Sequence, residues 1–388
     1  MPFLPLIALT LGTFGIGATE LMIQGLLPEI AADLDTSIPK AGLLVTGYAL
    51  GVTLGGPLVA ILTVRLKRKT ILLLLMGVFI VGNLMCAIAP NYPFMIAARI
   101  VASLCHGAFV GIGSVVAVDL ASAERRASAI ALMWAGFTVS SILGVPFGTA
   151  LGHAFGWRVT FWVVTAVGIA AEAGIAIFLP PVGRAPVTRL AQELRVLAKP
   201  KLLLALALGT MICAGAFGVL TFIAPILTEV AAISPATLPV YLLFFGVGGL
   251  IGMQVGGRAG DRNLMASIIA VFAGNIVVYF VLLLAFHSAT PALIMMFVWG
   301  ASMYFIAAPI QLRVVESGRE APNLASTLLQ SSFNLGIAIG PLVAAVALSL
   351  GMSFALLPVL GAAFSAGGLA LALASRELDR RAALAVQG

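Results

Sequence analysis

Charge is what this sequence has least of. Asp, Glu, Lys and Arg make up 9% of its 388 residues, against about a quarter in soluble domains, which excludes an ordinary water-soluble fold. The alternating segments of about ten residues that build a transmembrane barrel are missing. Only three cysteines occur, Cys86, Cys105 and Cys213. They stand far apart inside apolar runs, without metal-ligand spacing, and read as small core residues. No His-Glu-x-x-His, Gly-x-Ser-x-Gly or Gly-Lys-Ser/Thr loop is present, so zinc hydrolysis, serine chemistry and ATP coupling have no support. A channel filter signature is absent too. The opening Met1-Pro2-Phe3-Leu4-Pro5 has no basic residue ahead of the apolar run. It is therefore expected to begin a retained first membrane span, not a cleaved signal.

What is present is apolar. Hydrophobic residues make up 61% of the chain, the mean hydropathy is +1.15, and runs of 18 or more apolar residues recur along the whole length. Each is long enough to cross a hydrocarbon layer of roughly 30 Å as a helix. Polar punctuation predicts spans near 5–28, 41–64, 70–89, 94–118, 127–150, 157–180, 202–226, 239–257, 264–286, 291–312, 324–349 and 354–375. The expected fold is an all-α membrane protein of twelve transmembrane helices. It divides into a six-helix half at 1–182, a linker at 183–201, a second six-helix half at 202–376 and a tail at 377–388.

All of the 21 lysines and arginines except Lys40, Arg99 and Arg158 fall in alternate connections or in the tail. Cytoplasmic loops carry the Lys and Arg excess, so both termini are expected inside, in the inner membrane of a bacterium. The cations are spread over short loops without an aromatic-interleaved patch, so anionic lipid headgroups, not nucleic acid, are the expected counter-charge. In the linker, Leu190, Leu194 and Leu197 share one side of a helical stretch at 188–197, which reads as interfacial.

The halves repeat. Leu11-Gly12-Thr13 with Pro28 recurs as Leu208-Gly209-Thr210 with Pro225. Gly55-Gly56 matches Gly248-Gly249, Arg65 matches Arg258, Phe79 matches Phe272, and Gly107-Ala108 matches Gly300-Ala301. Equivalent helices lie six spans apart, so the repeat keeps its orientation. Parallel six-span repeats build the major facilitator fold, with a substrate site expected where the halves meet.

Particular segments carry a closer likeness. The stretch Leu11 to Pro28, LGTFGIGATELMIQGLLP, and Arg99 followed by His106-Gly107-Ala108-Phe109 are two of them. In span 5, Gly136 precedes Gly144-Val145-Pro146-Phe147-Gly148, and Gly156-Trp157-Arg158-Val159-Thr160-Phe161 opens span 6. With these, the sequence resembles the major facilitator superfamily over nearly its whole length. Within it, the chain resembles the twelve-span drug:proton antiporters, above all the arabinose-efflux-like permeases. The resemblance implies an antiporter motif at Gly136, Gly144, Pro146 and Gly148, where glycines admit a close neighbour and the proline removes a backbone donor; ordinary helix packing is the other reading. It also implies an inner gate from Arg65, Arg68, Asp119, Asp261 and Arg262. Here the chain departs from the family pattern, because Thr63 and Val64, not an acid, precede Arg65. Asp119 is expected to pair with Arg65 or Arg68, or else to be a solvated topology charge.

Ionisable groups inside spans cost about 2.5–3.5 kcal/mol at a helix centre and usually serve a function. Glu20, Arg99, His106 and Glu172 are the candidates for proton coupling. Glu20 has Phe217 as its repeat partner, so it belongs to one half only. A carboxyl in a partly dry cavity can hold a proton on one side and release it when a cation or water arrives; the alternative is a structural acceptor. Arg99 reads either as a network residue or as a snorkelling anchor, His106 as cavity lining or a packed histidine, and Glu172 as a proton site or a rim residue. Tyr48, Trp134, Phe137, Phe217, Phe222, Phe245, Gln254, Trp299, Tyr304, Gln330 and Asn334 are candidate lining of a largely apolar substrate cavity, each otherwise core.

The expected function is secondary transport, namely proton-coupled efflux of small amphipathic drugs by a monomer. No cofactor is expected beyond the proton gradient, and the expected partners are the substrate, protons and membrane lipids. Export of a sugar or polar metabolite is the alternative in the same fold, with uptake possible in principle, and a polytopic enzyme lacks support. The orientation is testable. Single cysteines introduced as Lys67→Cys and Arg125→Cys should react only from the cytoplasmic side, and Asn91→Cys only from outside. Labelling of all three from one face would contradict the twelve-span map.

Overall fold

Hydrocarbon offers no water to a backbone amide, so each span has to satisfy its own backbone, and a continuous helix does this. The structure, a computed structural model, describes residues 3–63, 66–122, 125–181, 199–318 and 322–387. The described residues form helices and turns, with no strand among them. Twelve of these helices are long and apolar enough to cross a membrane. In order they are span 1 Phe3–Gly25, span 2 Ile38–Gly56, span 3 Arg68–Ala87, span 4 Tyr92–Asp119, span 5 Ser128–Phe155 and span 6 Trp157–Phe178. The second set is span 7 Pro200–Leu220, span 8 Pro235–Arg262, span 9 Leu264–Ala285, span 10 Ala289–Ser317, span 11 Leu328–Ser349 and span 12 Phe354–Arg381. The interfacial stretch expected at 188–197 and the gate residue Arg65 lie outside the described residues.

The boundaries differ from expectation where polar residues were read as loop. The helix of span 12 runs from Leu357 to Gln387, through the expected tail. Glu377 pairs with Arg380 and Arg381, one turn on, at 3.0 Å each, and such i,i+3 and i,i+4 pairs support a helix in water. Span 1 departs in the other sense. Its α-helix ends at Leu21, tightens into a 3-10 turn at Met22–Gly25, and resumes as a short helix at Leu27–Asp33.

The chain divides into two compact units, Met1–Val187 with Ser234–Leu243, and Thr188–Ile233 with Phe244–Gly388. In the first, span 1 packs on spans 5 and 6, and span 3 on spans 4 and 6. In the second, span 7 packs on spans 11 and 12, and span 9 on spans 10 and 12. The repeat reaches single hydrogen bonds, in a register three residues away from the sequence match of Thr13 with Thr210: Thr10 Oγ1 donates to the Leu132 carbonyl and Thr210 Oγ1 to the Ser332 carbonyl, both at 3.0 Å. One turn further, Gly136 and Gly336 occupy matching contacts. A Cβ there would lie 2.1 Å from the Thr10 carbonyl oxygen and 2.3 Å from that of Thr210.

Charges close the ends of each unit. At the start of span 3, Lys69 donates to the carbonyls of Ala176 and Leu179 at 2.7 and 2.6 Å, capping the C-terminal end of span 6. In the second unit, Asp379 accepts from Lys201 at 2.9 Å and from Arg313 at 2.6 Å, and Arg313 also donates to Ser375 at 2.9 Å. Spans 7, 10 and 12 are thereby tied at one end.

Candidate functional site

A buried polar cluster occupies the first unit. Span 4 is two helices, Tyr92–Ser103 and His106–Asp119, separated at Leu104-Cys105. Asn91 caps the first of them, accepting from the Phe94 amide at 3.0 Å. Arg99 lies within this helix and is wholly buried, so it does not snorkel to a surface. Its Nη1 donates to the Thr19 carbonyl at 2.7 Å, its Nε reaches the Leu44 carbonyl at 3.5 Å, and its guanidinium lies 4.2 Å from the centre of the Tyr48 ring. The Thr19 carbonyl belongs to the last turn of the α-helix of span 1, where carbonyls lose their helical donors and a cation is favoured. Thr19 Oγ1 in turn donates to Asn83 Oδ1 at 2.5 Å, and Asn83 Nδ2 to the Phe79 carbonyl at 2.9 Å. One guanidinium thus joins spans 1, 2 and 4, with span 3 attached through Thr19.

Glu20 follows Thr19 directly and is 3% exposed. His106 Nδ1 stands 3.9 Å from Glu20 Oε2 and 3.5 Å from the Tyr48 hydroxyl. The first distance is too long for a hydrogen bond, so the carboxyl is near a titratable partner without being locked to it. Aromatic rings flank the histidine. Tyr48 and Phe137 each lie 6.1 Å from it between centroids, and Trp134 lies 6.2 Å beyond, against Phe137. A buried carboxyl, an imidazole, a phenol and three aromatic faces in one place can exchange a proton and hold an apolar or cationic group.

The other predicted residues are distributed. Glu172 is half-buried on span 6 and faces Gly77 of span 3, so it does not join the cluster. Arg68 pairs with Asp119, linking the start of span 3 to the end of span 4. Asp261 and Arg262 are exposed at the end of span 8. In span 5 a π-turn, Ser140–Gly144, precedes Pro146 and absorbs the proline's irregularity within the helix. Gly144 faces Phe14, and Gly148 faces Thr160 and Met22, so the motif's glycines seat span 5 on spans 1 and 6.

In the second unit, Trp299 is fully buried, with Phe245 at 5.1 Å and Tyr279 at 6.1 Å between ring centroids. Tyr304 lies 6.3 Å from Phe245. Phe222 is buried against Phe354, Phe217 is buried in span 7, and Gln254 is exposed. Half-buried Gln330 accepts from Asn334 Nδ2 through its carbonyl at 3.0 Å. Among the described residues, no group of three or more His, Cys, Asp or Glu stands close enough to hold a metal ion. Sequence reasoning missed Thr19 and Asn83. The available signal was a lone amide in an otherwise apolar third span.

The family profile described as Major Facilitator Superfamily matches residues 9–341. The chain belongs to the major facilitator superfamily. It is 39% identical over 374 residues to the inner membrane transport protein YdhP of Escherichia coli strain K12, covering 95% of this chain and 94% of that one. It is 34% identical over 351 residues to a chloramphenicol resistance protein of Streptomyces lividans, covering 89% of each. A solved bacterial homologue of the human lysosomal transporter Spinster superposes with a TM-score of 0.73 at 19% identity, covering 96% of this chain and 93% of that one. Its relatives are transporters, not enzymes, and this superfamily member is a membrane-spanning transporter. The contribution of Arg99 is directly testable. Arg99→Lys keeps the charge but loses the planar stack on Tyr48, and should lower the thermal midpoint by the equivalent of about 2 kcal/mol. An unchanged midpoint would show that the stack contributes nothing.

Proposed function

We infer that this transporter expels small amphipathic compounds in exchange for protons, and that it works in the bacterial inner membrane with both termini in the cytoplasm. The observation that carries the reading is the Glu20 carboxyl, buried with its Oε2 3.9 Å from His106 Nδ1, which in turn lies 3.5 Å from the Tyr48 hydroxyl. In this reading the carboxyl takes a proton while the site faces outward and gives it up inward. A cationic or polarised substrate and the proton compete for the same carboxylate, which links their movements. Arg99 positions the last turn of span 1, and so Glu20, by holding the Thr19 carbonyl. Tyr48, Phe137 and Trp134 supply apolar faces for substrate. The pair Arg68–Asp119 latches the inner ends of spans 3 and 4, and its exposure makes it worth about 0.2–1 kcal/mol, weak enough to open in each cycle. Export of drug-like molecules is supported by the likeness to the chloramphenicol resistance protein.

The driving force follows from the same group. Each pH unit across the membrane supplies about 1.4 kcal/mol per proton moved, and each 100 mV about 2.3 kcal/mol per charge. Glu20→Gln keeps the shape of the side chain but cannot release a proton. In proteoliposomes with an imposed pH gradient, it should abolish uphill movement of a cationic dye or of chloramphenicol while downhill exchange persists. Glu20→Asp should retain part of the activity with an altered pH profile. Uphill transport by Glu20→Gln at the wild-type rate would place the proton site elsewhere, and movement of sugars alone in the same vesicles would replace the drug reading with a sugar exporter.

A further inference from the structure

Beyond Glu20, towards the end of span 1, the first unit holds a second polar group that helix packing does not explain. The 3-10 turn Met22–Gly25 lies against the second helix of span 5, Val145–Phe155. The contact is close: a Cβ on Gly25 would fall 2.2 Å from Thr149 Oγ1, and the Gly25 carbonyl is 3.2 Å from His153 Nε2. Thr149 and His153 are one turn apart on the same face of span 5. His153 Nε2 also lies 3.0 Å from Glu29 Oε1, on the short helix after the break.

Accessibility falls along this line. The side chains of Glu29 and His153 are 35% and 13% exposed, whereas Gln24 is 2% and Thr149 0% exposed. Gln24 stands one turn from Glu20. Four atoms of the group, Glu29 Oε2, His153 Nδ1, Gln24 Nε2 and Thr149 Oγ1, are buried without a hydrogen-bond partner in the protein. A buried donor or acceptor left unmatched is destabilising, and such groups are ordinarily met by ordered water. Set along the seam between the end of span 1 and span 5, and exposed at Glu29, these atoms fit a file of water molecules.

We propose that Glu29, His153, Thr149 and Gln24 line a hydrated proton-access route from the membrane face bearing Glu29 to Glu20. The proposal rests on the reading of Glu20 as the proton site. A proton from bulk water is shared between the Glu29 carboxylate and His153 Nε2. It then passes to the water beside Thr149, each oxygen accepting one proton as it releases another, and ends on the Glu20 carboxylate. Histidine suits the mouth because its ordinary titration range spans physiological pH. The other charges on the packed elements leave it free for this role: Asp33 is held by Arg158 of span 6 at 2.5 Å, and the turn Pro235–Thr237 brings no ionisable side chain.

The test has a transport arm and a labelling arm. Thr149→Val keeps the shape without the hydroxyl, and Gln24→Leu removes the amide. In each, the initial rate of gradient-driven transport of a cationic dye should fall about tenfold, with the dependence on outer pH altered in His153→Gln, and Thr149→Ser should restore the rate. In protein whose native cysteines are replaced by serine, Thr149→Cys should react with a small hydrophilic thiol reagent added on the Glu29 side. This second arm decides the matter even where a transport variant folds poorly. Wild-type rates in both Thr149→Val and Gln24→Leu, or a Thr149→Cys that resists the reagent, overturn the route. If those rates are normal while Glu20→Gln is inactive in uphill transport, the route alone fails and the role of Glu20 stands. If Glu20→Gln pumps normally, the reading of Glu20 fails, and the route as a path to it fails as well.

Discussion

A guanidinium buried in a membrane has to find its acceptors inside the protein, because the surrounding hydrocarbon offers none. Arg99 finds a carbonyl that span 1 frees where its α-helix ends, a second carbonyl from span 2, and the face of Tyr48, while its Nη2 has no hydrogen-bond partner in the protein. The interruption of span 1 and the charge in span 4 therefore require one another. Replacing either alone leaves a buried donor or acceptor unmatched. The carboxyl of Glu20 sits at the break for the same reason: the chain there is already irregular, polar and tied to its neighbours.

The two halves share a plan but not a chemistry. Helix order, the Thr10 and Thr210 hydrogen bonds and the Gly136 and Gly336 contacts are repeated. Carried across in the register of those contacts, however, Glu20 becomes Leu220, and in the register of the Gly107 and Gly300 match His106 becomes Trp299, a tryptophan buried between Phe245 and Tyr279. The first unit places ionisable groups at these two positions, while the second fills them with a leucine and a tryptophan.

The spans were legible because their signal is the length of apolar runs, which the bilayer fixes. Ends were less legible. Span 12 continues through Arg376 to Arg381 because charges on a helix surface support the helix when they pair along it. The ionisable members of the cluster, Glu20, Arg99 and His106, stood out as costly residues in apolar segments, and Asp119 meets Arg68, with Arg65 outside the described residues. Thr19, Asn83, Glu29 and His153 were not legible. Each is an unremarkable polar residue in sequence, given meaning only by what a neighbouring helix brings within 3.2 Å. That proximity arises from tertiary packing, which no periodicity encodes.

The central claim is that substrate and proton contend for one carboxyl in this cluster. Proton release from purified protein in a lightly buffered detergent solution, followed with a pH indicator as an amphipathic cation such as tetraphenylphosphonium is added, tests it most directly. The account predicts saturable release from the wild-type protein and none from Glu20→Gln at equal occupancy. Equal release from both would contradict it.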